Sequence, residues 1–332
     1  MSNIGILGAG SWGTALARTL TVGGHSVTLW SALEKELLTL REGKTHPNLP
    51  GMVFPEEVRL TADLGEAICG ADVVVFAVAS PFTRQTARAA APYLKAGQIV
   101  VDVAKGLEAS THMTLTEVIA DELNIPGIPL VALCGPTHAE ELALDMPTAI
   151  VAATPDEDAA RFVQQMFSNG ILRVYTNPDI KGVEVCGALK NIVAIAAGLS
   201  DGLGYGDNAK AAIITRGMAE IMRLGSKMGG SKETFTSLAG IGDLIVTCTS
   251  RHSRNNRAGY LMGQGVPPAD AIRQVGMVVE GINALPAAME LAEKHNVELP
   301  LCSTVHSIVT GEITAANALK LLMSRELKTE YE

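Results

Sequence analysis

One stretch near the amino terminus leaves this chain few folds to choose from. Ile4-Gly5-Ile6-Leu7 reads as a short buried strand, and Gly8-Ala9-Gly10-Ser11-Trp12-Gly13 follows at once. Thr14-Ala15-Leu16-Ala17-Arg18-Thr19-Leu20 continues as a helix, which Gly23-Gly24 stops before a second strand, Val27-Thr28-Leu29-Trp30. Strand, GxGxxG turn, helix, glycine stop and strand, in that order, form the opening of a dinucleotide-binding βαβ unit. The glycines Gly8, Gly10 and Gly13 serve a tight turn, close approach of the backbone to a pyrophosphate, and close packing of helix on strand. The helix start, at Ser11 and Trp12, then offers free N–H groups and a positive dipole end to the phosphates.

The end of the second strand ordinarily tells the two dinucleotides apart. An Asp or Glu there holds the ribose hydroxyls of NAD, and an Arg favours the 2′-phosphate of NADP. This chain reads Trp30-Ser31-Ala32-Leu33-Glu34 and carries neither signal, so the cofactor is NAD or NADP. Ser31 and Glu34 have the S-x-x-E spacing of a capping box, which predicts a structural role for both.

The αβ alternation continues. The near-continuous apolar run over 71–78 predicts a central strand covered on both faces. Ser80-Pro81 has the pattern of a cap before a first-turn proline and predicts the next helix start. Further strands are expected over 98–103, ending at Ala104-Lys105-Gly106-Leu107, and over 130–133, ending at Gly135-Pro136-Thr137-His138-Ala139-Glu140. From Thr148 to about Tyr175 one more strand–helix–strand unit follows, with its helix over 156–167. Ligands of doubly wound sheets lie beyond the carboxyl ends of the strands, which puts Lys105 and the Gly135-Pro136-Thr137 turn at functional positions. Taken singly, Lys105 also suits a solvated loop, and Thr137 a helix cap.

After Asn177-Pro178 no long β run appears, and Ala, Leu, Met and Ile recur at helical spacing. The expected organisation is a Rossmann-like doubly wound α/β domain over 1–180 and an all-helical domain over 181–332. A chain of 332 residues, 47% hydrophobic and 18% charged, suits that two-domain reading.

Within the helical half, Cys186-Gly187-Ala188-Leu189-Lys190-Asn191-Ile192-Val193 sets a lone lysine among apolar and small side chains on every face. Burial disfavours the ammonium and lowers its pKa toward the range useful for proton transfer. A lysine with its stem on apolar surface and its head in water is the bland alternative. Two polar clusters interrupt the later helices. Gly240-Ile241-Gly242-Asp243-Leu244 offers a carboxylate after two glycines, and Thr247-Cys248-Thr249-Ser250-Arg251-His252-Ser253-Arg254-Asn255-Asn256 gathers hydroxyls, amides and arginines before a helix start. Hydroxyls, a guanidinium and a helix N-terminus together suit a phosphate, although a capped polar loop would look similar. Arg216 and Glu220, four apart on one helix, read as a structural contact.

Composition excludes several classes. A net charge of −9 with no basic tail or stripe argues against a nucleic-acid partner. No apolar run was expected to approach the ~18 residues that span a bilayer. A strand beginning at Ile4 leaves no room for a signal peptide. Cys69, Cys134, Cys186, Cys248 and Cys302 are widely spread with no CxxC spacing, and the seven histidines make no HxH or HxxxH pair. They imply reduced cysteines, a cytoplasmic protein and no metal.

Together these stretches resemble the bacterial type of NAD(P)-dependent sn-glycerol-3-phosphate dehydrogenase along almost the whole chain. Gly8 to Ala15, Lys105-Gly106, Gly135-Pro136-Thr137 with Ala139-Glu140, and Gly187-Ala188-Leu189-Lys190-Asn191 carry the likeness. It continues through Asn208-Ala209-Lys210, Thr215-Arg216-Gly217, Gly240 to Leu244, Ser253-Arg254-Asn255 and Val279-Glu280-Gly281. The resemblance implies interconversion of dihydroxyacetone phosphate and sn-glycerol 3-phosphate, supplying phospholipid synthesis. It further implies Lys190 as the proton donor and acceptor, with Asp243 as its partner. Lys105, Gly135, Thr137, Asn191, Thr247, Ser253, Arg254 and Asn255 would contact substrate. Gly8, Gly10, Ser11, Trp12, Gly13, Ser31, Lys105, Ala139, Arg254, Val278 and Glu280 would contact the cofactor, and two copies would form a homodimer. One departure stands out: many relatives carry a basic residue just after the second strand, where this chain has Ser31-Ala32. Dehydrogenases acting on β-hydroxyacids also pair a Rossmann domain with a lysine-bearing helical domain. They fit less well, because Asn191 here follows Lys190 directly.

Overall fold

The computed structural model describes residues 1–327, 329 and 330. Its first half is a sheet of strands β1 (Asn3–Leu7), β2 (Ser26–Trp30), β3 (Arg59–Thr61), β4 (Val73–Phe76), β5 (Ile99–Asp102), β6 (Leu130–Cys134), β7 (Thr148–Ala153) and β8 (Leu172–Asn177). They lie in the order β3-β2-β1-β4-β5-β6-β7-β8. Val, Ile, Leu and Ala line both faces, so β1, β4 and β5 are nearly continuous apolar runs sandwiched between helices. The order turns back between β1 and β4, and that switch point is where open α/β sheets bind ligands. One pairing departs from the parallel pattern: β7 runs antiparallel to β6. The link over 135–147 contains only a four-residue helix, Ala139–Leu142, and has no full crossover helix to return the chain parallel.

The glycine roles are visible as geometry. Gly8 sits at φ +123°, and a side chain there would meet the Ala77 carbonyl at 2.6 Å. A Cβ on Gly13 would stand 2.0 Å from the Gly8 carbonyl, so the Ser11–Val22 helix can lie this close to β1 only with hydrogen there. Gly10 instead faces open space, with nothing within 4 Å of its would-be Cβ.

The helical half is built around one helix, Ile180–Gly202, which is buried from Gly182 to Ser200. Its amino terminus is capped by the Asp179 side chain, which accepts from the Gly182 N–H at 2.8 Å. By length and hydropathy this helix could cross a membrane, contrary to the expectation that no such run exists. Its most apolar window is wholly buried inside the protein, so it is a core helix that is hydrophobic all round because neighbours cover every face. Each fully buried Leu, Ile or Val on it contributes about 1.5–3 kcal/mol. The Arg254–Gly263 helix crosses it at very short range. A Cβ at Gly198 would lie 2.0 Å from the Asn256 carbonyl, and one at Gly259 would lie 2.1 Å from that of Ile195. Glycine on both helices lets the backbones touch.

Several local expectations are corrected. No capping box joins Ser31 to Glu34: the Glu34–Gly43 helix has Leu33 at its cap position, and Ser31 donates to Glu36. Ser80 opens a short 3₁₀ turn, Ser80–Phe82, with Ala79 at the cap, and the α-helix begins at Thr83. Arg216 and Glu220 do not pair. Glu220 accepts from the N–H groups of Leu301 (2.6 Å) and Cys302 (3.1 Å), holding the start of the Pro300–Val309 helix. Arg216 donates to the Glu330 carbonyl instead. The helix over 156–167 is found at Glu157–Phe167, with Asp156 as its side-chain cap.

Candidate active site

Lys190 lies midway along the core helix with only 4% of its surface exposed. Its Nζ is 2.8 Å from Asp243 Oδ1 and donates to Thr247 Oγ1 at 2.6 Å. Asp243 and Thr247 are one turn apart on the Asp243–Thr249 helix, and the Thr247 hydroxyl donates back to the Asp243 carbonyl at 2.6 Å. That bond leaves the Thr247 oxygen lone pairs aimed at the lysine. A short π-turn, Leu238–Gly242, leads into this helix, and a Cβ on Gly240 would strike the Phe235 carbonyl at 2.1 Å. The two glycines before Asp243 thus belong to a compact turn that sets the carboxylate's position.

A second lysine arrives from the sheet. Lys105, just beyond the carboxyl end of β5, places Nζ 2.8 Å from Asp243 Oδ2 and 2.8 Å from the Gly135 carbonyl, with Thr137 Oγ1 at 3.5 Å. One buried carboxylate therefore bridges two ammonium groups through its two oxygens. Burial presses the Lys190 ammonium below the ordinary lysine value; Asp243 opposes this, and Lys105 adds to it. Lys105 is also penalised by burial, but Asp243, with help from Cys134 and Lys190, more than restores it, and its pKa ends above the ordinary value. Burial alone would raise the carboxyl of Asp243, yet the two lysines hold it ionised, below the usual range.

A chain of amides fixes the surroundings. Asn191 donates to the Gly187 carbonyl (3.1 Å) and the Lys105 carbonyl (3.4 Å), and its own oxygen accepts from Asn255 at 2.9 Å. Asn255 in turn accepts from the Gly281 N–H at 2.9 Å. Ser253 caps the Arg254–Gly263 helix, accepting from the Asn256 N–H at 3.2 Å. Arg254 lies outside this network: it is exposed, and Nη1 donates to the Val278 carbonyl at 3.1 Å. Glu280 opens the Glu280–Lys294 helix and reaches across to the loop after β4, accepting from the Ser80 N–H (3.1 Å) and the Ser80 hydroxyl.

Three neighbours were not singled out from the sequence. Cys134, the last residue of β6, sets Sγ 3.6 Å from Asp243 Oδ2. Burial pushes its thiol up to about 12, so it stays protonated and can donate to the carboxylate. His138 is held down to about 4 by burial and then by Lys190 and Lys105, so its ring is neutral. Gly187 is the third: a Cβ there would meet Cys134 Sγ at 3.1 Å, so the bare backbone lets β6 and Lys105 reach the core helix. Cys134 and His138 both flank the Gly135-Pro136-Thr137 motif, and that adjacency was the available signal.

The residues present fit a dinucleotide at the switch point. The Ser11–Val22 helix has no side-chain cap and no acidic residue in its first turn, so its N–H groups face the open space beside Gly10. Ser11 and Trp12 are half-buried there, and Ala139 is buried with its helix packed on the same one.

A Rossmann-like sheet joined to a helical unit, with a buried lysine–aspartate pair where they meet, is the build of a nicotinamide-dependent dehydrogenase. Family models narrow the class. Residues 3–160 match the model for the N-terminus, and residues 179–320 that for the C-terminus, of NAD-dependent glycerol-3-phosphate dehydrogenase. The chain belongs to this family. It is 55% identical to a glycerol-3-phosphate dehydrogenase (NAD(P)+) of Lactobacillus delbrueckii subsp. bulgaricus, over 99% of each chain. A counterpart from Agathobacter rectalis is 49% identical over 100% of this chain and 98% of that one. The crystal structure of glycerol-3-phosphate dehydrogenase from Coxiella burnetii superimposes with a TM-score of 0.93 at 38% identity, covering 98% of this chain and 99% of that one.

Proposed function

We propose that this protein interconverts dihydroxyacetone phosphate and sn-glycerol 3-phosphate with NAD(P)H. The observation that carries the reading is the buried Lys190 Nζ, held between Asp243 and Thr247 and depressed in pKa by its surroundings. When bound, the nicotinamide supplies the hydride that enters the carbonyl carbon of the ketone. Lys190 gives its proton to the ketone oxygen as charge develops there, and in the reverse direction the neutral amine takes the hydroxyl proton. Asp243 and Thr247 keep the ammonium aimed, and Lys105 sets a second positive charge on the same carboxylate. Lys105, Gly135, Thr137, Asn191, Ser253, Arg254 and Asn255 form the substrate set, with the Arg254 guanidinium suited to phosphate oxygens. The cofactor set comprises the glycine turn, Ser11, Trp12, Ser31, Ala139, Val278 and Glu280, together with Lys105 and Arg254.

In this reading residues 1–180 are the dinucleotide-binding domain and 181–332 the helical substrate domain. The protein would act in the cytoplasm as a homodimer joined through the helical domain, and its product would feed phospholipid synthesis. The test is NADH or NADPH oxidation on addition of dihydroxyacetone phosphate. Steady turnover is expected; dinucleotide binding without any turnover would overturn the assignment.

A further inference from the structure

The end of β2 holds a carboxylate that the sequence does not put there. Ser31 is the first residue beyond β2 and is only 3% exposed. Its hydroxyl donates to Glu36 Oε2 at 2.6 Å and accepts from the Leu33 N–H at 3.0 Å. Glu36 lies in the first turn of the Glu34–Gly43 helix, five residues after Ser31, and is half-buried. The tight turn through Ala32 and Leu33 brings its side chain back over the strand end. In a doubly wound sheet that strand end is where the ribose of the adenosine half lies, and an acidic side chain there takes the ribose hydroxyls.

A buried histidine lies between this carboxylate's field and the glycine turn. His46 is 8% exposed, and both the Glu36 charge and the Ala9 backbone act on its ring, opposing the effect of its burial. The His46 ring thus lies against the Ala9 backbone of the glycine turn and within range of the Glu36 charge. The cations nearby in sequence are otherwise committed or averted. Lys44 pairs with Glu56 and Arg59 with Glu66. Lys35 and Arg41 are exposed and, one and five residues from Glu36 on the same helix, point to different faces.

We infer that Glu36, held in place by Ser31, reads the adenosine ribose and makes this protein prefer NAD(H) to NADP(H). The inference rests on the dinucleotide site of the preceding section. A 2′-phosphate at this spot meets a like-charged carboxylate, whereas a 2′-hydroxyl meets an acceptor. The test is equilibrium binding of NADH and of NADPH by calorimetry, without substrate, for the native chain and for Glu36→Gln. The native chain is expected to bind NADH more tightly. Glu36→Gln should narrow the ratio by about tenfold or more, an order between the bulk-water and protein-surface limits for like charges a few ångströms apart. The amide still offers Ser31 an acceptor, so the turn is retained. Ser31→Ala, which frees Glu36 without removing its charge, should narrow the ratio less. Equal or tighter binding of NADPH by the native chain, or an unchanged ratio in Glu36→Gln, would overturn the inference. Because substrate is left out, a lack of turnover would count against the proposed reaction alone, not against Glu36.

Discussion

Lys190 shows how far one buried charge depends on its partners. In the proposed mechanism ketone reduction uses the ammonium and alcohol oxidation the neutral amine, so the two directions should respond oppositely to pH. Since burial puts the folded pKa below the ordinary lysine value, kcat/KM for reduction should fall as pH rises through that lowered value, while oxidation rises over the same interval. Removing the Asp243 charge with Asp243→Asn should move this limb to lower pH; an unmoved limb in the pH–rate profile would contradict the pairing. Lys190→Ala should lower kcat by about 10²–10⁴-fold while NADH affinity, read by fluorescence titration, stays near native. Asp102 offers a contrasting case. It is 2% exposed at the end of β5, and its Oδ2 has no hydrogen-bond partner. Burial, then the charge of Glu184, raises its pKa well above the ordinary carboxylate value. Its favourable protonated state is fully available below the ordinary carboxylate range, and the stability it gives is lost as pH rises through the raised pKa. Asp102→Asn should therefore raise Tm at neutral pH by roughly 2–4 °C for each kcal/mol relieved, with the gain shrinking in acid. Calorimetric melts at the two pH values would check this.

At the scale of elements, the core helix and the Arg254–Gly263 helix act as one unit because glycines remove the side chains between them. Alanine at Gly259 would gain about 1 kcal/mol of helix propensity. Its methyl would, however, be forced to within 2.1 Å of the Ile195 carbonyl, and such overpacking costs typically 1–3 kcal/mol or more. The clash wins, so Gly259→Ala should lower stability in a denaturant melt. It should also slow turnover, because the displaced helices carry Lys190 and Asn191 on one side and Arg254 and Asn255 on the other. A variant of unchanged Tm and rate would show that the contact is soft. Helix boundaries here were legible where a side-chain cap set them, as at Asp156. They were misread at Ser31 and Ser80, whose hydroxyls bond distant or offset carboxylates instead of the local backbone.

Across the whole molecule, the sheet and the helical unit share the site and are tied beside it. Glu280 accepts both the N–H and the O–H of Ser80, 200 residues away. Hydrogen bonds to a charged group are worth about 1.5–3 kcal/mol, so each of Ser80→Ala and Glu280→Ala should lower kcat/KM by roughly tenfold or more. The double variant should be little worse than either single one, and strictly additive losses would show that the two residues act separately. What the sequence determined by itself is what short-range physics encodes. The glycine spacing set the nucleotide turn, apolar runs set the strands, and an isolated lysine on an apolar helix marked the candidate proton donor. Only the tertiary structure decided which charges meet. Asp243 bridges Lys105 and Lys190 across 138 and 53 residues, Cys134 adds a thiol to the same carboxylate, and Glu36 folds back onto Ser31. No local pattern specifies such contacts, because the pKa of a buried group is set by distance and desolvation, and both arise only when separate elements pack together.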